Sequence, residues 1–173
     1  MAQQLGAALR LGAPVGLALA TLLAACSSAP PPPPPTQVVL ALAATPDVNP
    51  APNGQGAPVV LRVYQLASTT AFKGAEFFDL FNQDQATLKT DLVKRDDVTL
   101  APGQSKTLTL SPTDPTKAVG VFAAYRDYTK AVWRVSADIP AHKTTKLTVQ
   151  AGSAGLTLGP PPTKPAPAGQ SGS

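Results

Sequence analysis

The sequence has very few of the side chains on which disulfides, metal sites and nucleophilic catalysis depend. Its 173 residues include one cysteine, Cys26, and one histidine, His142. One thiol cannot form a disulfide within the chain, and one imidazole cannot form a histidine-based metal cluster. No G-x-S-x-G sequence accompanies His142, which we expect to be an exposed turn residue. A Gly-rich phosphate loop is also missing.

The acidic residues give equally little reason to expect catalysis. Asp96 and Asp97 are adjacent, so their side chains would point to opposite faces of an extended strand. Arg95 beside them favours a solvated strand edge over a pair of catalytic carboxylates. The formal charge of +4 is interspersed along the chain and forms no basic stripe suited to nucleic acid. We therefore expect a protein that is not an enzyme and that holds no cofactor, metal or nucleic acid.

Residues 11–25, which are 15 residues, carry no charge and are mostly apolar. That length is too short to span about 30 Å of hydrocarbon comfortably as a helix. Arg10 precedes the run and small residues end it, and this order is typical of a secretory signal. We predict a signal peptide over residues 1–25.

Cys26 directly follows this run. The sequence Leu23-Ala24-Ala25-Cys26 resembles the lipobox of bacterial lipoproteins, in which the cysteine becomes acylated after cleavage. Ser27 resembles the sorting residue of lipoproteins sent to the outer membrane, and more than one acyl chain is needed for stable anchoring. The alternatives are an ordinary signal peptide with an incidental cysteine, or a thiol buried in a core.

Proline-rich segments flank the remaining sequence. Pro30 to Pro35 are consecutive prolines, so residues 26–36 are predicted to be an acylated linker in a polyproline II conformation, a spacer rather than an SH3-type ligand. Residues 159–173 are rich in Pro, Gly and Ser and are predicted to be a disordered tail. About 120 residues, 37–158, are left between them, enough for one domain.

This domain has mostly the period-two pattern of β-strands. We predict strands at 38–43, 59–66, 98–100, 106–110, 119–125, 131–139, 144–149 and 155–158. In the strand at 131–139, Trp133 and Ile139 would face inward and Arg134 outward. Seven or eight short strands with regular turn signals predict a β-sandwich.

One segment, residues 72–93, has a helical pattern instead. Phe77, Leu80 and Phe81 are spaced as on one face of a helix, and Asn82 with Gln85 resembles a capping pair that starts a second short helix. These aromatic residues either cover an end or edge of the sandwich or form an apolar groove for a partner.

The connection between the first two predicted strands, residues 44–58, is unusually long for a hairpin. Pro46, Pro50 and Pro52 restrict its conformations, and Asn53-Gly54 supplies a turn. A stiff, protruding loop suits recognition because less entropy is lost on binding. A tolerated surface insertion explains the same pattern equally well.

Several of these features occur together in one known family. They are the lipobox, Asn49-Pro50 followed by Asn53-Gly54, LRVYQL at 61–66, Phe72, Phe77 and Leu80, Pro102-Gly103, GVFAAY at 120–125 and Trp133-Arg134. In this combination, over residues 23–158, the chain resembles the TssJ family of type VI secretion outer-membrane lipoproteins.

The resemblance implies a transthyretin-like β-sandwich with one or two short added helices. It implies a protein tethered by Cys26 to the periplasmic face of the outer membrane, where it helps to build the type VI secretion membrane complex. The implied partner is the periplasmic carboxy-terminal domain of the inner-membrane subunit TssM. The implied contact residues form the loop between the first two strands: Asp47, Val48, Asn49, Pro50, Ala51, Pro52, Asn53, Gly54 and Gln55. The rival hypotheses are a periplasmic lipoprotein that binds a small ligand or glycan in its sandwich, and a periplasmic hydrolase.

Overall fold

Eight strands and two short α-helices follow one another in the computed structural model, which describes residues 31–159. The elements are β1 (Gln37–Ala44), β2 (Val59–Leu66), α1 (Thr70–Gly74), α2 (Phe77–Leu88), a 3-10 turn (Lys89–Asp91), β3 (Leu92–Leu100), β4 (Ser105–Leu110), β5 (Ala118–Ala123), β6 (Arg134–Asp138), β7 (Thr144–Gly152) and β8 (Gly155–Gly159). The predicted signal peptide, Cys26 and residues 160–173 lie outside the described residues. The described residues from 33 onward belong to one compact unit.

The strands form two four-stranded sheets. The first sheet has the order β4-β1-β7-β8 and the second has the order β3-β2-β5-β6. Within the sheets β1 and β7 are parallel, whereas the other neighbours are antiparallel. The predicted β-sandwich of seven to eight strands with one or two added helices is confirmed.

The core between the sheets is built by alternating side chains. In β1, Val38, Leu40 and Leu42 are fully buried, while the residues between them are partly exposed. In β2, Leu61 and Val63 are also fully buried. Removing a leucine side chain of this kind from water stabilises the fold by about 1.5–3 kcal/mol. The period-two pattern of the sequence is therefore the pattern of the inner faces.

The helices form a third layer on the outer face of the second sheet. All six residues of β5 are buried, because the first sheet covers one face of the strand and the helices cover the other. Tyr64, Leu66 and Phe122 of the sheet pack there against Phe72, Phe77, Leu80 and Leu88. A Cβ on Gly120 would lie 3.0 Å from the Phe72 ring, so glycine lets this ring approach the sheet. The aromatic residues therefore cover a face of the sandwich, not an end or edge as predicted.

Helix α2 is interrupted, as the sequence suggested, but at a different residue. Gln83 has non-helical angles of φ −144° and ψ 39°, which divides α2 into two segments. The capping box lies at the start of α2, between Glu76 and Asp79, rather than at Asn82 and Gln85. Among the described residues no helix is both long enough and apolar enough to cross a membrane.

Candidate functional site

The long loop of residues 45–58 leaves the first sheet after β1 and enters the second sheet at β2. Val48, a residue of this loop, is fully buried. The Val48 amide donates to the Thr45 carbonyl at 3.1 Å, and the Val48 carbonyl accepts from the Ala57 amide at 2.9 Å. The first bond closes a turn at the start of the loop and the second joins its two arms, so the loop has a fixed shape of its own.

Asn49 holds this loop to its surroundings. Its φ of 47° is in the left-handed region, which asparagine tolerates better than most residues. Its side-chain Nδ2 donates to the Pro58 carbonyl at 2.9 Å, and its Oδ1 accepts from the Arg126 amide at 2.8 Å. Asn49 is only 6% exposed, so these two bonds satisfy a buried amide and link the loop to the β5–β6 connection.

The tip of the loop is also internally bonded. The Ala51 amide donates to the Gln55 carbonyl at 2.8 Å, and the Gly54 amide donates to the Ala51 carbonyl at 2.8 Å. Gly54 has a φ of 80°, so the predicted Asn53-Gly54 turn is present. A Cβ on Gly56 would lie 2.1 Å from the Pro46 carbonyl oxygen, which shows how closely the two arms approach.

One acidic side chain, Asp47, is fixed on the exposed side of the loop. Thr45 Oγ1 donates to Asp47 Oδ1 at 2.5 Å. Hydrogen bonds from Thr45 and Ser153 hold the pKa of the Asp47 carboxyl below its usual value. The loop therefore presents one negative charge at neutral pH.

Three further connections lie at the same end of the sandwich, which we call the loop end. The turn after β3 contacts the loop through the Gly103 amide and the Thr45 carbonyl, at 3.2 Å. The β5–β6 connection is joined to it through Asn49, and the β7–β8 turn contacts that connection through the Val132 amide and the Ala154 carbonyl, at 3.1 Å.

The described chain begins at the opposite end. The His142 amide donates to Thr36 Oγ1 at 2.8 Å, and His142 Nδ1 lies 3.1 Å from the Pro34 carbonyl. His142 is an exposed turn residue, as predicted. The eight residues of β1 separate Gln37 from the loop end by roughly 25 Å.

The predicted contact residues fall into two groups. Val48 and Asn49 are buried and support the loop, and Ala51 is half-buried. The exposed members, which we call the loop tip, are Asp47, Pro50, Pro52, Asn53, Gly54 and Gln55. Cys26 lies outside the described residues, so its lipidation remains a prediction.

A second exposed feature was anticipated only in part, since the sequence singled out Phe81 and an apolar groove as one alternative but did not single out Phe78 or Tyr128. Phe78 is 51% exposed and Phe81 is 40% exposed, and Tyr128 of the β5–β6 connection lies beside them. We call Phe78, Phe81 and Tyr128 the aromatic patch. The Phe77 ring lies beneath it, 4.4 Å from the Tyr128 ring and 5.8 Å from the Phe81 ring, centroid to centroid. The sequence signal was the adjacent Phe77-Phe78, which a single helical face cannot bury.

A buried charge network holds α2 against the second sheet. Asp84 is 5% exposed and accepts hydrogen bonds from Tyr64 Oη at 2.9 Å and Arg95 Nη1 at 2.8 Å. Burial opposes ionisation of Asp84, but the bonds from Arg95 and Tyr64 and the charges of Arg95 and Arg62 outweigh it, so its pKa is below the usual value. Arg62 Nη1 also donates to the carbonyls of Leu80 and Phe81, at 2.7 and 2.9 Å. Arg62 thereby caps the first segment of α2.

Asp97 joins this network through Arg95, at 3.3 Å, while the neighbouring Asp96 pairs with Lys94 at 3.6 Å. The two carboxylates thus have different partners, as expected for adjacent strand residues. Within residues 31–159, no three His, Cys, Asp or Glu side chains come together as a metal site.

Comparison with known proteins adds independent information. The family model of the type VI secretion lipoproteins (T6SS-SciN, with VasD, EvfM and TssJ) matches residues 36–154. The crystal structure of the type VI lipoprotein TssJ1 from Pseudomonas aeruginosa is similar, with 38% identity and a TM-score of 0.72, over 76% of this chain and 100% of that one. No curated protein sequence matches.

Two further solved structures are similar. Serratia marcescens Lip, described as a membrane bound component of the type VI secretion system, has 28% identity and a TM-score of 0.67, over 71% of this chain and 96% of that one. A chain in the structure described as the type VI protein TssM C-terminal domain (869-1107) from EAEC has 28% identity and a TM-score of 0.59, over 72% of this chain and 98% of that one.

Proposed function

The chain belongs to the type VI secretion lipoprotein family, and from this membership we propose that it is a structural, non-enzymatic subunit of a type VI secretion membrane complex. It is anchored in the outer membrane by acyl chains on Cys26 and faces the periplasm. Its loop end binds the periplasmic carboxy-terminal domain of the inner-membrane subunit TssM.

The similar proteins support this proposal. Lip of Serratia marcescens is described as membrane bound, and a similar chain occurs in a structure described by the TssM C-terminal domain. Membrane attachment is stated of Lip, and occurrence with the TssM domain in one structure is stated of the second chain; we propose that both extend to this chain.

The direction of the chain also supports it. Residues 26–36 lead from Cys26 to β1 and, extended at about 3.1 Å per residue, would reach roughly 30 Å from the membrane. Thr36 and Pro34 contact His142 at the end opposite the loop. An anchor at that end directs the loop end away from the outer membrane, towards a partner that comes from the inner membrane.

The single observation that carries the proposed contact is the double hydrogen bond of Asn49 to the Pro58 carbonyl and the Arg126 amide. It fixes the loop before any partner binds, so little conformational entropy is lost on association. Tethering to the membrane raises the effective concentration of both proteins, so a modest affinity is sufficient.

The test is a calorimetric titration of soluble residues 27–173 with the TssM periplasmic domain from the same genome. In the first variant a Gly-Ser segment of equal length replaces residues 50–55, which keeps Val48 and Asn49 in place. The matched control replaces residues 112–115 in the β4–β5 connection at the opposite end of the sandwich.

We expect the native protein and the control to bind and the loop-tip variant to bind at least 10-fold more weakly. Equal binding by all three proteins would place the contact elsewhere. No binding by the native protein would contradict the proposed partner. The anchor is tested separately, by mass spectrometry of the mature protein and by membrane fractionation of a Cys26→Ser variant, which should leave the membrane fraction.

A further inference from the structure

The loop tip alone is too small for a stable interface and lacks the side chains that usually anchor one. Its six exposed residues include neither an aromatic residue nor an arginine. A stable protein–protein interface uses about 20–30 residues and roughly 800 Å² on each side. Most of its binding energy comes from a few anchors, which are often Trp, Tyr or Arg. The contact must therefore extend over neighbouring surface.

The aromatic patch is the surface next to the loop that has the character of an anchor. Phe78 and Phe81 expose 51% and 40% of their area, although large apolar side chains are usually buried. The Phe78 and Tyr128 ring centroids are 5.0 Å apart with an interplanar angle of 68°, and both rings contact the buried Phe77. These rings are already held in place, so they would lose little side-chain entropy when a partner covers them.

The outward direction of these rings is built into the fold. Arg62 reaches from β2 to the carbonyls of Leu80 and Phe81, and its guanidinium carbon lies 5.7 Å from the centre of the Phe81 ring. Asp84, the first residue of the second segment of α2, accepts a hydrogen bond from Tyr64 Oη of the second sheet. These contacts fix the rotation of the helix, so Phe78 and Phe81 cannot turn inward without breaking them.

The aromatic patch is continuous with the loop by two routes. Tyr128 lies two residues from Arg126, whose amide bonds to Asn49 of the loop. On the other side, Phe81 lies over Arg62, and Val60 is two residues earlier on the same face of β2 and 40% exposed. Val60 lies two residues after Pro58, whose carbonyl accepts the second bond of Asn49. The base of the loop is thus linked to the patch through both β2 and the β5–β6 connection.

We propose that the aromatic patch is the anchoring part of the TssM interface and accepts an apolar segment of the TssM periplasmic domain. The loop tip forms the adjacent polar part of the same contact. Asp127 and Lys130, paired at 3.1 Å and exposed, lie on the same connection as Tyr128 and supply a charged rim. An apolar centre with a polar rim is the usual anatomy of a protein interface. This inference rests on the proposed function.

The test uses the soluble chain 27–173 and a titration with the TssM periplasmic domain. The test variant is Phe78→Ala with Phe81→Ala, and Phe78→Ala alone is measured as well because it disturbs the fold least. The matched control is Leu158→Ala, since Leu158 is 37% exposed but lies on β8 of the first sheet. Thermal unfolding of each variant shows that it remains folded.

We expect the double variant to bind about 10- to 100-fold more weakly, the single variant to bind several-fold more weakly, and Leu158→Ala to bind as the native protein does. If the loop-tip variant loses binding and folded aromatic variants do not, the proposed function stands and this inference is wrong. If the native protein does not bind at all, both fail.

Two other occupants of the aromatic patch, a second copy of the chain and residues 160–173, are tested with the same proteins. Sedimentation of the native chain that shows a dimer abolished by Phe78→Ala with Phe81→Ala would assign the patch to a second copy and overturn the inference. Removal of residues 160–173 should leave the affinity unchanged. An increase in affinity that disappears in the double variant would assign the patch to this proline-rich segment instead.

Discussion

Replacing Asp84 with asparagine is expected to destabilise the domain by about 2–3 kcal/mol. Breaking a buried ion pair from one side costs about 3–5 kcal/mol, because the remaining charge is left without its partner. Two features of the structure reduce this cost. The Arg95 side chain is 34% exposed, so water screens its charge, and Asp97 lies 3.3 Å away as a second partner. Asparagine also retains one oxygen that can accept from Tyr64.

The effect should depend on pH with a definite sign. The Asp84 pKa in the folded protein lies below its usual value, because the opposing effect of burial is outweighed by Arg95, Tyr64 and Arg62. A carboxyl with a depressed pKa stabilises the fold above its unfolded pKa, and this contribution is lost as the pH falls through the folded value. The native protein should therefore lose stability on acidification below about pH 4, and Asp84→Asn should lose less over that range.

The assay is urea denaturation of residues 27–173 at pH 7 and at steps down to pH 3, with the slope of unfolding compared between variants. The matched control is Asp127→Asn. Asp127 is paired with Lys130 on the surface, with the two side chains 54% and 84% exposed, so its replacement should leave the free energy of unfolding essentially unchanged. A free energy of unfolding for Asp84→Asn within 0.5 kcal/mol of the native value would refute the argument that this network holds α2 on the sheet.

Three further predictions concern other positions. Arg134→Met should lower the free energy of unfolding by about 2 kcal/mol, because the guanidinium donates to the carbonyls of Phe72 and Ala75. It should also change the fluorescence of Trp133, whose ring lies 4.4 Å from the guanidinium. An unchanged spectrum and an unchanged stability would contradict this. Gly56→Ala should lower the melting temperature and weaken TssM binding at least 10-fold, since its Cβ would lie 2.1 Å from the Pro46 carbonyl oxygen, whereas Gly74→Ala meets nothing within 4 Å and should do neither. Tyr125→Phe should leave the domain equally stable or stabilise it by up to about 1 kcal/mol, because the buried hydroxyl has no hydrogen-bond partner among the described residues. Burial also raises the pKa of this hydroxyl. A decrease of more than about 1 kcal/mol in the free energy of unfolding, measured by urea denaturation, would contradict this.

Local patterns predicted the strands well because each strand has one face on the core between the sheets. The alternation of Val38, Leu40 and Leu42 with less buried residues identifies that face directly. Arg134 shows where the same logic fails. Alternation assigned it to the solvent side, but that side of the second sheet is covered by helices, so Arg134 is half-buried and bonds to Phe72 and Ala75. A period-two pattern identifies two faces but does not say what lies on each.

Five of the residues that produced the family resemblance have a common structural role that the sequence did not reveal. Arg62, Tyr64, Phe77, Phe122 and Arg134 all take part in holding the helices against the second sheet. Other members of the same set, Pro50, Asn53 and Gly54, belong to the loop tip. The resemblance therefore combined helix-to-sheet contacts with residues of the loop.

The sequence by itself determined the strand content, the loop between β1 and β2, the Asn53-Gly54 turn and the family. Each of these depends on neighbouring residues or on a motif in a short segment, where spacing fixes the geometry. Only the tertiary structure decided that Val48 and Asn49 are buried at the base of the loop, and that Phe78, Phe81 and Tyr128 lie together. These outcomes depend on residues far apart in the chain, such as Asn49 and Arg126, which come together only when the sheets and the helical layer pack.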